Sequence, residues 1–191
     1  MSRFFSLVLI GYAFIIIDLN FGIDIIPDII GYIIIARAIQ KYAESKYNKT
    51  AVLLSYITGF ISLIEMPIAY RLVESSPAEV NLLYGFISSI IQLLYFYYLF
   101  GVFNSFAQNT PYIKYTKRVK HLVVGSLWIV ITSMYLIEFT QNIIVGFAVV
   151  IAGIVLIIGF IMFIIYCYKM MRYGKLLELR EKEEQVETET T

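Results

Sequence analysis

The stretch IIVGFAVVIAGIVLIIGFIMFIIYCY, residues 143–168, contains no charged residue, and KMMRYGK, residues 169–175, follows it at once. A helix crosses a hydrocarbon core of about 30 Å with about 20 apolar residues. This stretch therefore reads as a membrane span that ends in a cluster of cations. Working outward from it, five further apolar runs precede it: Phe4–Ile17, Ile23–Ala36, Ala51–Ile64, Leu82–Phe103 and Leu122–Ile137. They are continuous rather than alternating, which predicts helices and no strands.

The gaps between the runs differ in charge. Arg37, Lys41, Lys46 and Lys49 follow the second run, and Lys114, Lys117, Arg118 and Lys120 follow the fourth. The other gaps hold Asp18, Asp24, Asp28, Glu65, Glu74, Glu79 and Glu138. Of 15 Lys and Arg, only Arg71 falls among them. Lys and Arg are retained on the cytoplasmic side. The pattern predicts an all-α bundle of six transmembrane helices in the plasma membrane, with both termini cytoplasmic.

Composition agrees. The chain has 191 residues, is 60% hydrophobic and 15% charged, and has a mean hydropathy of +0.78. A soluble domain carries about a quarter charged residues. Residues 1–168 form the predicted transmembrane domain and 169–191 a cytoplasmic tail. Glu178 and Lys182 stand four apart in the order that supports a helix, whereas the Glu- and Thr-rich end from Glu183 is too polar to fold alone. The tail is thus expected to extend as a helix and then become a disordered acidic end. The basic residues are accounted for by orientation, so no nucleic-acid partner is implied. The lone Cys167 offers an inert apolar side chain or a site of acylation at the membrane edge.

Candidate functional residues lie on the outer side and in the fourth run. The first, third and fifth helices end alike, in Ile16-Ile17-Asp18, Leu63-Ile64-Glu65 and Leu136-Ile137-Glu138. A carboxylate is disfavoured at a helix C-terminus by about 0.3–1 kcal/mol. These acids either lie in water or converge with Asp24 and Asp28 around a cation or a basic group, for which Arg71 is available. Glu65 is expected to pair with Arg71 or to face a polar outer cavity. Pro27 suits a first helical turn, and Asp28 beside it suits the positive end of the helix dipole. Ser88, Ser89 and Gln92 are polar within a span and line a path or serve packing. Tyr95, Tyr97, Tyr98, Tyr112 and Tyr115 read as an aromatic belt at the inner surface. Ser55-x3-Gly59, Gly85-x3-Ser89, Ala148-x3-Ala152 and Gly31 offer close helix approach.

Enzyme signatures are missing: there is no Gly-x-Ser-x-Gly elbow, His-Glu-x-x-His or phosphate-cradling glycine loop. His121, the only histidine, has no His or Cys companion near it in sequence, so neither a metal nor a cofactor is expected.

Phe21-Gly22-Ile23-Asp24-Ile25-Ile26-Pro27-Asp28-Ile29-Ile30-Gly31-Tyr32 resembles the Asp-Ile-Leu-Pro-Asp-Phe-Ile-Gly-Tyr signature of a family of small uncharacterised membrane proteins from Gram-positive bacteria. It departs at Ile26, where the pattern has Leu, and at Ile29, where it has Phe. The resemblance implies a bacterial plasma-membrane protein and supplies no reaction. The expected function is a non-enzymatic regulatory, sensing or accessory component with a carboxylate-rich outer face. Its partners would be the bilayer and either another membrane protein or further copies of itself. The alternative is a small oligomeric transporter or channel-like protein. A lipid-modifying enzyme using the outer carboxylates ranks third.

Overall fold

A computed structural model describes residues 1–16, 28–64, 78–140 and 143–189. Six helices make up these residues: α1 Ser2–Ile16, α2 Asp28–Tyr42, α3 Asn48–Ile64, α4 Ala78–Ala107, α5 Ile113–Thr140 and α6 Ile143–Glu189. Three of them, α4 to α6, are long and apolar enough to cross a membrane. Within the described residues the other three have 15, 15 and 17 residues, or roughly 22–26 Å at 1.5 Å per residue. Among the described residues, then, three helices of the six have the length and composition for a full crossing.

The helix ends follow local chemistry. α2 begins at Asp28, which lies in its first turn, and carries Lys41 in its last. Both charges complement the helix dipole. Before α3, the Ser45 hydroxyl accepts a bond from the Tyr47 N–H at 3.3 Å, and the Asn48 side-chain amide donates to the Ala43 carbonyl. Before α5, the Thr110 hydroxyl accepts from the Tyr112 N–H at 3.2 Å and donates to the Ala107 carbonyl at 2.9 Å. Serine and threonine hydroxyls hold such chain reversals because they meet backbone groups that a helix terminus leaves unpaired.

Two helices outrun their apolar stretches the furthest. α5 starts nine residues before Leu122, because the basic segment is amphipathic. Thr116, Val119 and Val123 are buried, while Lys114, Lys117, Arg118 and His121 are exposed. α6 continues from Tyr168 to Glu189, through the end that its composition assigned to disorder. Glu, Lys and Gln are good helix formers, and adding a residue to an existing helix costs far less than nucleating one.

Each helix packs antiparallel on its neighbour in sequence, and α6 returns to α1 to close a ring. Side chains fix the register at each seam. Gly11 meets Gly31 and Ile35 between α1 and α2, and Gly59 lies against Tyr32 and Ile29 between α2 and α3. Tyr47 covers Gly101 between α3 and α4, and Phe86 meets Tyr135 between α4 and α5. The Tyr115 hydroxyl donates to the Met162 carbonyl at 3.4 Å between α5 and α6, and Gly174 of α6 lies against Ser2. The ring interior is aromatic. Phe4, Phe5, Tyr12, Tyr95, Phe100, Phe103, Phe163 and Tyr166 are all buried there. The outside is aliphatic: Ile144, Val150, Ile154, Ile157, Ile158 and Ile161 of α6 are all about half exposed or more.

Candidate functional site

Most of the outer-side candidates cannot be placed. Asp18, Asp24, Glu65 and Arg71 lie outside the described residues, and so does any convergence among them. Asp28 occupies the first turn of α2 and Glu138 the last turn of α5. Ser88, Ser89 and Gln92 sit in the half of α4 away from the basic turns. Ser88 is buried, and Ser89 meets the Tyr135 hydroxyl of α5. Gly85, one turn before Ser89, leaves the room that this hydroxyl takes up, since a Cβ there would come within 3.3 Å of it. Ser89 thus bonds across a helix seam, the packing role open to such residues.

One sequence expectation needs correction. Tyr95 belongs to no interfacial belt: it is fully buried at the ring centre, while Tyr97 nearby is 44% exposed. The Tyr12 hydroxyl bonds the Tyr95 hydroxyl at 3.5 Å, with Ser55 of α3 beside them, and the Tyr32 ring lies edge-on at 5.4 Å. Four helices therefore share one buried hydroxyl cluster. Hydropathy hides it, because a tyrosine facing lipid and one facing a neighbouring helix read alike in sequence. Cys167 is also fully buried, against Phe163 and Tyr166 on the inward stripe of α6, so the folded chain does not present it for acylation. Ala148 and Ala152 face α5 at the α5–α6 seam, and Ala152 is buried there. They also border a groove that opens along that seam.

The polar site that the structure does assemble is at the basic end, which the sequence reading had explained by orientation alone. A pocket of about 350 Å³ lies between α4 and α5. Its wall from α4 is Phe100, Gly101 and Asn104, and its wall from α5 is Thr116, Lys117, Lys120 and His121. Tyr47 closes one side, its ring lying so near Gly101 that a Cβ there would come within 2.7 Å of it. Lys120 Nζ stands 3.9 Å from the Tyr97 ring centre, a cation–π contact that holds the side chain across the α4–α5 seam. Thr116 donates to the Tyr112 carbonyl at 3.0 Å. Asn104 Oδ1 is buried with no hydrogen-bond partner. Among the described residues, no carboxylate lines the pocket.

Comparison with protein-family models, curated proteins and solved structures gave no match. The geometry of the chain is therefore the sole basis for a functional reading.

Two further grooves are present, one of which adjoins the pocket. His121 also borders an apolar groove of about 420 Å³ between α5 and α6, lined by Gly125, Ser126, Ile129, Ala148, Ile151 and Ala152 among others. A larger groove of about 690 Å³ runs along α6 past Lys169, Arg172 and Tyr173. Among the described residues, no group of three His, Cys, Asp or Glu side chains stands close enough to hold a metal ion.

Proposed function

We propose that this chain is a small multi-span protein of the bacterial plasma membrane, with six crossings and both termini in the cytoplasm. In this reading it acts without enzymatic chemistry, as a regulatory, sensing or accessory component. The observation that carries the proposal is the distribution of side chains in the ring. The outer surface is aliphatic over most of α6, as suits lipid, and the interior is filled by aromatic rings from α1, α4 and α6. A packed aromatic interior supports a scaffold over a conduit, because a solute path needs polar lining or a water-filled cavity. The three short helices are compatible with crossing where their polar ends reach toward the headgroups or the bilayer thins, each at modest cost.

Orientation rests on the cations, which gather at the end that holds the 43–47 and 108–112 turns. Single cysteines introduced in a Cys167→Ser background test it. A cysteine at Ser76 should react with an impermeant maleimide on intact cells, and one at Ser45 only after permeabilisation. The opposite result at either position overturns the topology.

Copurification from native membrane tests the function. A stoichiometric protein partner is the expected result. Solute flux in reconstituted vesicles without such a partner would favour the transporter reading, in which Ser88, Ser89 and Gln92 line a path.

A further inference from the structure

The pocket at the basic end has features that membrane orientation does not call for. Orientation needs cations near the inner surface, and exposed side chains suffice. Among the described residues, Lys117 and Lys120 border a concave space with no carboxylate in its wall, and a buried amide oxygen, that of Asn104, lacks a donor. Lysine is a compact point charge that binds phosphate well. Next to a hydrocarbon layer its attraction for an anion is stronger than in bulk water. The two lysines thus ask for an anion, and Asn104 Oδ1 asks for a hydrogen-bond donor, which a phosphate diester cannot supply from its own oxygens.

The apolar groove on the other side of His121 answers the question of what else the ligand carries. It runs from His121 and Leu122, level with Gly159 of α6, along α5 to Ile129, between Val155 and Ala148 of α6. That is about two turns of helix, roughly 12 Å, directed away from the basic end. Small side chains make the depression: Gly125, Ser126, Ala148 and Ala152. A Cβ at Gly125 would meet nothing within 4 Å. A cationic pocket and an apolar groove that share His121 as a common border, the groove running away from the basic end, match the two parts of a phospholipid.

We propose that α4, α5 and α6 form a binding site for an anionic phospholipid with a hydroxylated headgroup, of the phosphatidylglycerol class. Lys117 and Lys120 hold the phosphate, a headgroup hydroxyl donates to Asn104 Oδ1, His121 stands at the junction, and one acyl chain lies in the groove over Gly125. A zwitterionic lipid brings a compensating ammonium into a wall that already holds two lysines, and it binds less well. The proposal rests on the membrane location given above, though not on the regulatory role.

Trp128, the only tryptophan in the chain, is exposed next to Ile129 of the groove. Its exposed ring is open to surrounding lipid, so stronger quenching by one lipid than by another at equal fraction measures enrichment of that lipid beside α5. The full chain is reconstituted in phosphatidylcholine nanodiscs containing a small fraction of phosphatidylglycerol with brominated acyl chains, and quenching of Trp128 is compared with that by brominated phosphatidylcholine at the same fraction. The expected result is stronger quenching by phosphatidylglycerol. Each lysine near the surface contributes about fivefold in affinity. Lys117→Gln with Lys120→Gln should therefore shift the half-quenching fraction upward by about 25-fold. Gly125→Leu should lower the quenching to the phosphatidylcholine level by filling the groove, while Arg172→Gln, on the other groove, should change nothing.

Equal quenching by the two lipids in the unaltered chain overturns the proposal. So does loss of the preference in Arg172→Gln but not in the double lysine variant. Inorganic phosphate that stabilises detergent-solubilised protein as much as phosphatidylglycerol does, and through the same lysines, would mark a site for free phosphate and overturn the lipid assignment. Failure of the chain to insert into nanodiscs at all would fall on the membrane reading, before any lipid preference is measured, and would remove the lipid site with it.

Discussion

Gly31→Ala should destabilise the folded chain by about 1–3 kcal/mol, the usual cost of overpacking a fitted contact. Gly31 on α2 and Gly11 on α1 face each other. A Cβ at Gly31 would run into the Gly11 carbonyl oxygen and come within 2.6 Å of Ile15 Cγ1, and a Cβ at Gly11 would come within 2.8 Å of the Gly31 carbonyl oxygen. The Ile15 side chain can rotate away, but the carbonyl belongs to a helix backbone, so the two helices must separate. Contacts along the whole seam then lengthen, and in lipid those contacts are most of what holds helices together. Gly125→Ala gives the matched comparison. Its Cβ enters open space, and alanine is the better helix former by up to about 1 kcal/mol. Unfolding midpoints in a denaturing detergent titration should therefore move in opposite directions for the two glycine variants. A neutral Gly31→Ala would mean that α1 and α2 do not meet at this point.

Phe103→Ala should cost still more, about 3–5 kcal/mol. Phe103 is fully buried, with the rings of Phe4, Phe5, Phe100, Phe163 and Tyr166 all between 5.5 and 5.9 Å from its own. They come from α1, α4 and α6, so one side chain joins three helices across the ring. Removing it leaves a void that backbone shifts can close only in part, and the dispersion contacts of several rings are lost together. Ile157→Ala on α6 removes a side chain that is 62% exposed, and lipid takes its place, so the same titration should show a small change. Comparable losses at the two positions would mean that the aromatic interior is not the packed core.

The two variants act where sequence and structure carry different information. Apolar runs identify helices well, because a run of that length without charge has few alternatives to a helix. Asp28 in the first turn of α2 was readable, since a carboxylate there suits the helix dipole for reasons local to the chain, while Pro27 lies outside the described residues. Gly31 was readable as a place of close approach, but its partner was not. Gly11 lies on another helix, and no local rule pairs two glycines twenty positions apart. The same limit applies to Tyr95. Its neighbours Tyr97 and Tyr98 have the same composition and depth, yet Tyr95 alone is fully buried, because the rotation of α4 about its axis is set by α1 and α6.

The candidate site shows the limit most plainly. The outer carboxylates were selected by their position at helix ends, and most of them fall outside the described residues. Lys117, Lys120 and His121 were visible from the start, and the retention of cations on one side of the membrane was reason enough for them to be there. Asn104, in the preceding helix, gave no sign of being their neighbour.

The sequence by itself determined the helices, the alternation of charge between the gaps and the end of the bundle at which the cations gather, because each depends on residues close together in the chain. Only the tertiary structure decided that the helices close into a ring with an aromatic interior. It also decided that Asn104 faces two lysines across a pocket and that the α5–α6 seam opens into a groove beside Ala148 and Ala152. Those outcomes depend on how each helix is turned about its own axis, and that rotation is set by the shapes of side chains on other helices.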